Sequence, residues 1–239
     1  MIRVVRVGGP RPLPAPGPIP LPGRPQRGKP FRVLVLGGAR SGKSVTAERL
    51  LAQRDQVDYV ACGPAADGTD PSWAERLRVH RDRRPAHWTT LETLDVAGVL
   101  AEIPPTRQAV PVLVDCLSTW LAGVMDDCGV WAEAAGTGAA GTGAAGTGAA
   151  GTGAAGTGAE AARTRADKEV ASRVDELFDA WRSTRRHVVA VSNEVGSGVV
   201  PATVSGGRFR DELGVLNARI AAECEQVWLC VAGIARRIR

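Results

Sequence analysis

The chain has 239 residues, a formal net charge of +5 and a pI near 9.3, a length that allows one large domain or two small ones. Residues 1–30 hold six Arg and Lys residues and neither Asp nor Glu, and subtracting these six from +5 leaves −1, which excludes a basic nucleic-acid-binding surface on the remaining body. Five cysteines without a CxxC pair indicate neither a metal site nor a disulfide framework, and no apolar stretch reaches the ~20 residues of a membrane span, so we expect a cytoplasmic protein.

The first 30 residues are predicted to be a Pro-rich disordered tail. Nine of the sixteen prolines lie between Pro10 and Pro30, a spacing that prevents both a helix and a hydrogen-bonded strand. Two interpretations stay open: the tail is a proline-rich ligand for a partner protein, or it is a disordered extension or an over-long gene start without such a role. The composition favours the second.

Beyond the tail, short apolar runs alternate with helical patterns in chain order. The predicted strands cover residues 32–36, 57–62, 112–117, 187–192 and 226–231, and the predicted helices cover residues 44–52, 72–83, 166–181 and 211–223. Strands separated by helices predict an α/β fold with a mainly parallel sheet and helices on both faces. A turn at Gly233 predicts a C-terminal antiparallel edge hairpin through residues 234–239.

Between residues 135 and 158 the unit Gly-Thr-Gly-Ala-Ala repeats from Gly136. These side chains bury almost nothing against the entropy cost of ordering the glycines, which predicts a flexible insert rather than a solenoid. The sequence therefore predicts one catalytic domain over residues 31–239, interrupted by this insert.

The first predicted strand leads directly into a phosphate-binding P-loop. Its glycines let backbone N–H groups point at phosphate oxygens, the Lys43 ammonium would neutralise the β and γ phosphates, and the Ser44 hydroxyl would bind Mg²⁺. A simple Gly-rich turn is the alternative, but the strand before it and the helix after it favour a P-loop NTPase of the RecA-like type. The loop consists of Gly37, Gly38, Ala39, Arg40, Ser41, Gly42, Lys43 and Ser44.

Two further groups of residues could take part in catalysis, and each of them also has an ordinary structural explanation. Asp115 follows Val112-Leu113-Val114, where a second carboxylate for the metal belongs, although an Asp there also caps helices. His80 and His87 flank an arginine-rich stretch, where a neutral imidazole could attack phosphorus and the arginines could offset charge. Spacing alone favours a solvated basic helix end, and it favours a surface position for His187.

Several stretches in one order change that balance: residues 37–44, 79–88, 114–120, 191–201, 208–219 and 227–233. Together they resemble the bifunctional adenosylcobinamide kinase / adenosylcobinamide-phosphate guanylyltransferase of cobalamin biosynthesis, over roughly residues 32–121 and 162–239. The resemblance implies phosphorylation of the aminopropanol hydroxyl of adenosylcobinamide, with GTP or ATP as donor. It then implies transfer of GMP from GTP to that phosphate through a guanylylated histidine, matched here by His80, with His87 in support.

The resemblance also implies the nucleotide contacts. Besides the P-loop they are Ala61, Cys62, Gly63, Arg81, Asp82, Arg83, Arg84, Glu92 and Asp115, with Mg²⁺ held by Ser44 and Asp115. Glu92 could accept hydrogen bonds from N1–H and N2–H of guanine, and Asn193 and Glu194 follow a strand where parallel sheets place ligand groups. Arg83 stands where the family usually has Gly, which adds charge to that loop.

Members of the family form homo-oligomers, typically trimers, so the resemblance implies an oligomer here. Two rival functions stay open at the sequence level. One is a plain small-molecule P-loop kinase in which His80 is structural. The other is a nucleotide-dependent switch or interaction protein that uses the Pro-rich tail.

Overall fold

A computed structural model describes residues 30–63, 71–102, 110–131 and 155–239. The predicted tail up to residue 29 and the predicted insert up to residue 154 lie outside these ranges. The tail and most of the insert therefore stay predictions.

The described residues form seven strands and six helices. The strands are β1 (Arg32–Gly37), β2 (Asp58–Ala61), β3 (Thr89–Glu92), β4 (Val112–Asp115), β5 (Val188–Asn193), β6 (Gln226–Val231) and β7 (Ile234–Arg237). The helices are α1 (Lys43–Leu51), α2 (Pro71–Arg83), α3 (Val96–Ala101), α4 (Leu117–Asp127), α5 (Ala155–Ser183) and α6 (Val204–Ala222).

The strands form one sheet in the order β3-β2-β4-β5-β1-β6-β7. Every neighbouring pair is parallel except β6 with β7, which is antiparallel. The predicted parallel sheet with a C-terminal edge hairpin is therefore confirmed.

Two apolar layers cover the sheet, one on each face. Along β5, Val188 and Ala190 belong to the layer that includes α3, α4, α5 and α6, whereas Val189 and Val191 belong to the layer that includes α1. This alternation follows from the two-residue period of a strand. It assigns each side chain at the end of β5 to one face, which matters for the site below.

Three elements were not predicted, and two helices begin earlier than predicted. Strand β3 is mostly exposed, so it carries no apolar run, and α3 is only six residues long. Helix α4 starts at Leu117, the last residue of the run predicted as a strand. The helix was missed because its residues are as apolar as those of the strand before it. Helix α5 begins at Ala155, within the predicted insert, and α6 begins at Val204.

The hairpin between β6 and β7 supports the P-loop. Its two turn residues, Ala232 and Gly233, have φ values of 50° and 82°, the left-handed pair that a tight two-residue hairpin requires. The Gly233 N–H donates to the carbonyl oxygen of Ser41 at 3.0 Å. The C-terminal turn thus fixes the backbone of the phosphate-binding loop.

A buried ion pair joins strands at their amino-terminal ends, at the end of the sheet opposite to the P-loop. Arg186, just before β5, donates from Nη2 to Oδ2 of Asp58, the first residue of β2, at 2.5 Å, and both side chains are 3% exposed. Its Nε also donates to the carbonyl oxygen of Val110 at 3.0 Å. These contacts join the amino ends of three strands and lie far from the P-loop, so we assign them to stability.

Candidate active site

The P-loop lies at the carboxyl end of β1. Residues 38–40 form its exposed crest, and Gly42 adopts the left-handed conformation, with φ 92°, directly before α1. Helix α1 has no side-chain cap and no acidic residue in its own first turn, so no side chain of the helix itself neutralises its N-terminal N–H groups and positive dipole end. The loop has the properties of a phosphate cradle.

Packing inside the loop explains two of its residues. A Cβ at Gly37 would lie 2.4 Å from Ser41 Oγ and 2.6 Å from the carbonyl oxygen of Cys230, so only glycine fits there. The Lys43 ammonium donates to the carbonyl oxygen of Gly38 at 3.1 Å. That contact holds the lysine side chain back over the loop.

Asp115, at the carboxyl end of β4, joins the P-loop to α2. Its Oδ1 accepts from Ser44 Oγ at 3.3 Å, and its Oδ2 accepts from the Tyr59 hydroxyl at 2.5 Å and lies 3.6 Å from Nδ1 of His80. Burial by itself would raise the pKa of Asp115, but hydrogen bonds from His80, Tyr59 and Ser44 outweigh burial and hold that pKa below its ordinary value. Asp115 is therefore ionised at neutral pH.

The contact with Asp115 orients the His80 ring. Arg83 Nη2 also lies 3.5 Å from Nδ1, and Arg83 donates from Nε and Nη2 to Glu48 of α1 at 3.3 and 2.9 Å. The nearby carboxylate of Asp115, at 3.6 Å, favours the tautomer with the ring proton on Nδ1 and the lone pair on Nε2. The His80 side chain is 34% exposed, so a ligand can reach it.

Tyr59 is a site residue that sequence reasoning missed. It lies in the middle of β2 and is fully buried, and the guanidinium of Arg84 covers its ring at 3.7 Å from the centroid. Burial, together with the neighbouring Asp115 charge, raises the pKa of Tyr59 well above its ordinary value, so the hydroxyl stays a donor. The one available signal was that Tyr59 is the only tyrosine in the chain.

A pocket of about 460 Å³ adjoins this group on the side of β3. Glu92 accepts from Arg81 Nη2 at 2.6 Å at its edge, and the pocket's size suits a nucleobase-sized ligand. The register Glu92–Ala61–Asp115 across β3, β2 and β4 sets the pocket beside Asp115 along the same edge of the sheet. The lining residues are Arg81, Arg84, Pro85, Ala86, Trp88, Thr90 and Glu92.

Other predicted contacts lie beside this group rather than in it. Asp82 is exposed and accepts from Arg78 at 2.6 Å, and His87 is exposed. Cys62 is buried in the opposite apolar layer, and burial raises the pKa of its thiol well above the ordinary value. The side chain of Cys62 therefore points away from the face that holds Asp115.

The prediction that His187 is a surface residue is wrong. Its ring is half-buried, and Nδ1 accepts from the backbone N–H of Phe31 at 3.0 Å. Burial, followed by the nearby Arg54 charge, lowers the pKa of His187. A neutral ring is what this hydrogen bond requires, so His187 is part of the scaffold.

Ser44 and Asp115 offer two hard oxygen donors at the phosphate end of the loop, which fits Mg²⁺, an ion that keeps several waters and binds one or two carboxylates. Asp115 can serve this role through Oδ1 while Oδ2 faces Tyr59 and His80.

Within the described ranges, no cluster of three or more His, Cys, Asp or Glu could hold a metal by itself. In the same part of the chain, no helix has the length and apolar character that crossing a membrane requires.

Residues 33–238 match the protein family described as cobinamide kinase / cobinamide phosphate guanyltransferase. The chain is 33% identical over 216 residues to the bifunctional adenosylcobalamin biosynthesis protein CobU of Salmonella typhimurium. The aligned region covers 87% of this chain and 99% of that protein. It is 34% identical over 206 residues to CobP of Pseudomonas aeruginosa (85% and 95% covered) and 31% identical over 209 residues to CobU of Escherichia coli (87% and 99% covered), both with the same descriptive name. The matched range includes the P-loop, α2 and β4.

Proposed function

This chain belongs to the cobinamide kinase / cobinamide phosphate guanyltransferase family, and on that premise we propose that His80 carries the guanylyl group between its two substrates. The chain is an enzyme of cobalamin biosynthesis with kinase and guanylyltransferase activity. In the proposal, adenosylcobinamide is phosphorylated first. Its phosphate then receives GMP from GTP, giving adenosylcobinamide-GDP and pyrophosphate.

The observation that carries the proposal is the position of His80 relative to the P-loop. Asp115 contacts both Ser44 of the loop, at 3.3 Å, and Nδ1 of His80, at 3.6 Å. One carboxylate thus links the triphosphate cradle to the imidazole. A histidine that only ended a solvated helix would not be expected to contact the buried carboxylate of the phosphate site.

In the first transfer step, the lone pair on Nε2 of His80 attacks the α-phosphorus of GTP. A new P–N bond forms, the P–O bond to the β-phosphate breaks, and pyrophosphate leaves with the electron pair. Asp115 keeps the proton on Nδ1 and offsets the positive charge that develops on the ring. In the second step an oxygen of adenosylcobinamide phosphate attacks the same phosphorus, and the P–N bond breaks to restore neutral imidazole.

The neighbouring cations have separate tasks in this proposal. Lys43 lies in the loop to neutralise the β and γ phosphates, and Arg83, held by Glu48 beside His80, stabilises charge that moves onto pyrophosphate. Ser44 and Asp115 would hold Mg²⁺, which when bound would offset further phosphate charge. Because the loop recognises phosphates rather than the base, either GTP or ATP can serve the kinase step.

We assign the guanine base to the pocket between Arg81 and Glu92. Glu92 is half exposed and free to exchange its ion pair with Arg81, at 2.6 Å, for the N1–H and N2–H donors of guanine. Adenine offers no such pair of donors on that edge, so this contact would select GTP for the transfer step. Removing the carboxylate as Glu92→Gln would weaken that selection.

We also propose that the enzyme acts as a homo-oligomer, with three copies as the expected number, in the cytoplasm. The support is an exposed apolar segment that leads into α6, where Val199, before the helix, is 94% exposed and Val204, its first residue, is 90% exposed. Light scattering of the purified chain measures its mass directly. A monomer at micromolar concentration would contradict this part of the proposal.

Labelled GTP tests the histidine intermediate. The chain is incubated with GTP carrying label on the α or the γ phosphate and is then denatured. We expect acid-labile, base-stable label from the α position only, lost in His80→Asn and kept in His87→Asn, the matched control on the same segment. Equal α-label in the His80 variant, or none in the wild-type chain, would overturn the assignment.

A further inference from the structure

The carboxyl end of β5 extends past Asp115 between the P-loop and the metal-binding carboxylate. In the sheet order, β5 lies between β4 and β1. Asp115 is in register with Val191, whereas Asn193, two residues further along, is in register with Gly37. The end of β5 therefore reaches the edge of the sheet at the level where the P-loop begins.

The strand alternation shows which face Asn193 shares. Val189 and Val191 lie in the same layer as α1 and Tyr59, and because side chains alternate along a strand, Asn193 is on that face as well. Leu113 belongs to the same layer, which puts Asp115 there by the same argument. Asn193 thus shares its face with the P-loop helix and with Asp115.

Two contacts hold the backbone at this point. Asn217 of α6 donates from Nδ2 to the carbonyl oxygen of Asn193 at 2.9 Å, and the N–H of Glu194 donates to the carbonyl oxygen of Gly37 at 3.2 Å. Glu194 itself is exposed, and its Oε1 accepts from the N–H of Gly196 at 2.8 Å. Of the two residues that end this strand, only Asn193 is placed towards the site.

The side-chain oxygen of Asn193 is buried and has no hydrogen-bond partner among the described residues. Buried polar atoms are nearly always paired, so an unpaired one calls for an explanation, and beside a ligand site a contact with the ligand is one such explanation. An amide oxygen can only accept, so the group that fits it is an O–H or N–H donor. The phosphates of the nucleotide carry no such donor when they are fully ionised.

We propose that Asn193 binds the hydroxyl of the alcohol that receives the γ-phosphate in the kinase reaction, an inference that rests on the proposed function. Asn193 accepts the O–H hydrogen, which turns the oxygen lone pair towards phosphorus. The alcohol oxygen then forms a bond to the γ-phosphorus, the P–O bond to the β-phosphate breaks, and the nucleoside diphosphate leaves with the electron pair. The hydroxyl proton passes to an oxygen of the transferred phosphoryl group, so the amide stays neutral throughout.

The same contact has no use in the guanylyl transfer. The acceptor in that reaction is a phosphate monoester, which is largely dianionic near pH 7 and therefore offers no O–H to an amide oxygen. Asn193 consequently separates the two half-reactions. Its loss should impair the acceptance of an alcohol and leave the acceptance of a phosphate intact.

The test measures both half-reactions in one preparation of each variant. For Asn193→Ala, we expect kcat/KM for phosphorylation of adenosylcobinamide to fall about ten- to a hundredfold. Guanylyl transfer to preformed adenosylcobinamide phosphate should stay within about threefold of wild type, which also shows that the variant is folded. Asn193→Ser, which keeps a short acceptor, should lose less.

Ser192→Ala is the matched control, because the Oγ of Ser192 is also buried without a hydrogen-bond partner among the described residues, but strand alternation places it on the opposite face, with Val188 and Ala190. It should change the ratio of the two activities by less than about threefold. Equal losses of both activities in Asn193→Ala, or no loss in either, would overturn the inference. A wild-type chain that does not phosphorylate adenosylcobinamide at all would instead overturn the proposed function.

Discussion

Tyr59→Phe removes one oxygen atom from the centre of the candidate site. The Tyr59 hydroxyl donates to Oδ2 of Asp115 at 2.5 Å, and Asp115 is buried. A hydrogen bond to a charged group contributes about 1.5–3 kcal/mol, so we expect a loss of about 2 kcal/mol in the free energy of unfolding at pH 7. For a domain of this size that corresponds to a fall of roughly 4–8 °C in Tm.

The loss should depend on pH in a defined direction. The pKa of Asp115 is lower in the folded state than its ordinary value, so its ionised form contributes stability above about pH 4 and loses that contribution as pH falls through the folded pKa. The difference between wild type and Tyr59→Phe should therefore shrink as pH falls through the folded pKa of Asp115. Urea unfolding over a series of pH values from 7 downwards measures it, and a double-mutant cycle with Asp115→Asn isolates the pair.

Tyr59→Phe should also slow labelling of His80 by GTP. Asp115 would keep its contacts with Ser44 and His80, at 3.3 and 3.6 Å, but would be held less firmly, and we expect the rate to fall about tenfold with nucleotide affinity unchanged. Unchanged stability at pH 7, or a loss that grows as pH is lowered, would refute the role we give to this hydrogen bond.

Two further predictions concern the scaffold. Arg186→Met would leave the carboxylate of Asp58, which is 3% exposed, without this arginine, and should lower the free energy of unfolding in urea by about 3–5 kcal/mol. The double variant with Asp58→Leu should recover most of that loss. A loss below about 1 kcal/mol in Arg186→Met would contradict the stabilising role of this ion pair. The pKa of His187 is lowered in the folded state, so the unfolded chain binds more protons and stability should decline as pH falls below about 6.5. His187→Gln should remove that decline, and a decline of equal size in the variant would assign it to other groups.

The sequence allowed the P-loop to be predicted because all of its determinants are local. Eight consecutive residues, an apolar strand before them and a helix after them specify the turn and the helix N-terminus. Asp115 could be predicted for the same reason, since it follows a short apolar strand. The structure brings Asp115 within 3.3 Å of Ser44, and the metal role of the two residues stays a prediction.

The contacts that depend on strand order could not be predicted. Tyr59 meets Asp115 only because β2 and β4 are neighbours, and a buried tyrosine in a strand looks like any other core residue. Asn193 lies beside Gly37 for a similar reason, although β5 and β1 are far apart in the chain. Strand β3 was missed because an exposed edge strand has no apolar run to identify it.

The stereochemistry of guanylyl transfer tests the central claim most directly. GTP made chiral at the α-phosphorus by sulfur substitution is used with adenosylcobinamide phosphate as the acceptor, and the configuration of the product is determined. Two successive in-line displacements through His80 invert the configuration twice, so the account predicts overall retention. Inversion would mean that the substrate phosphate attacks GTP directly, and it would contradict the histidine intermediate.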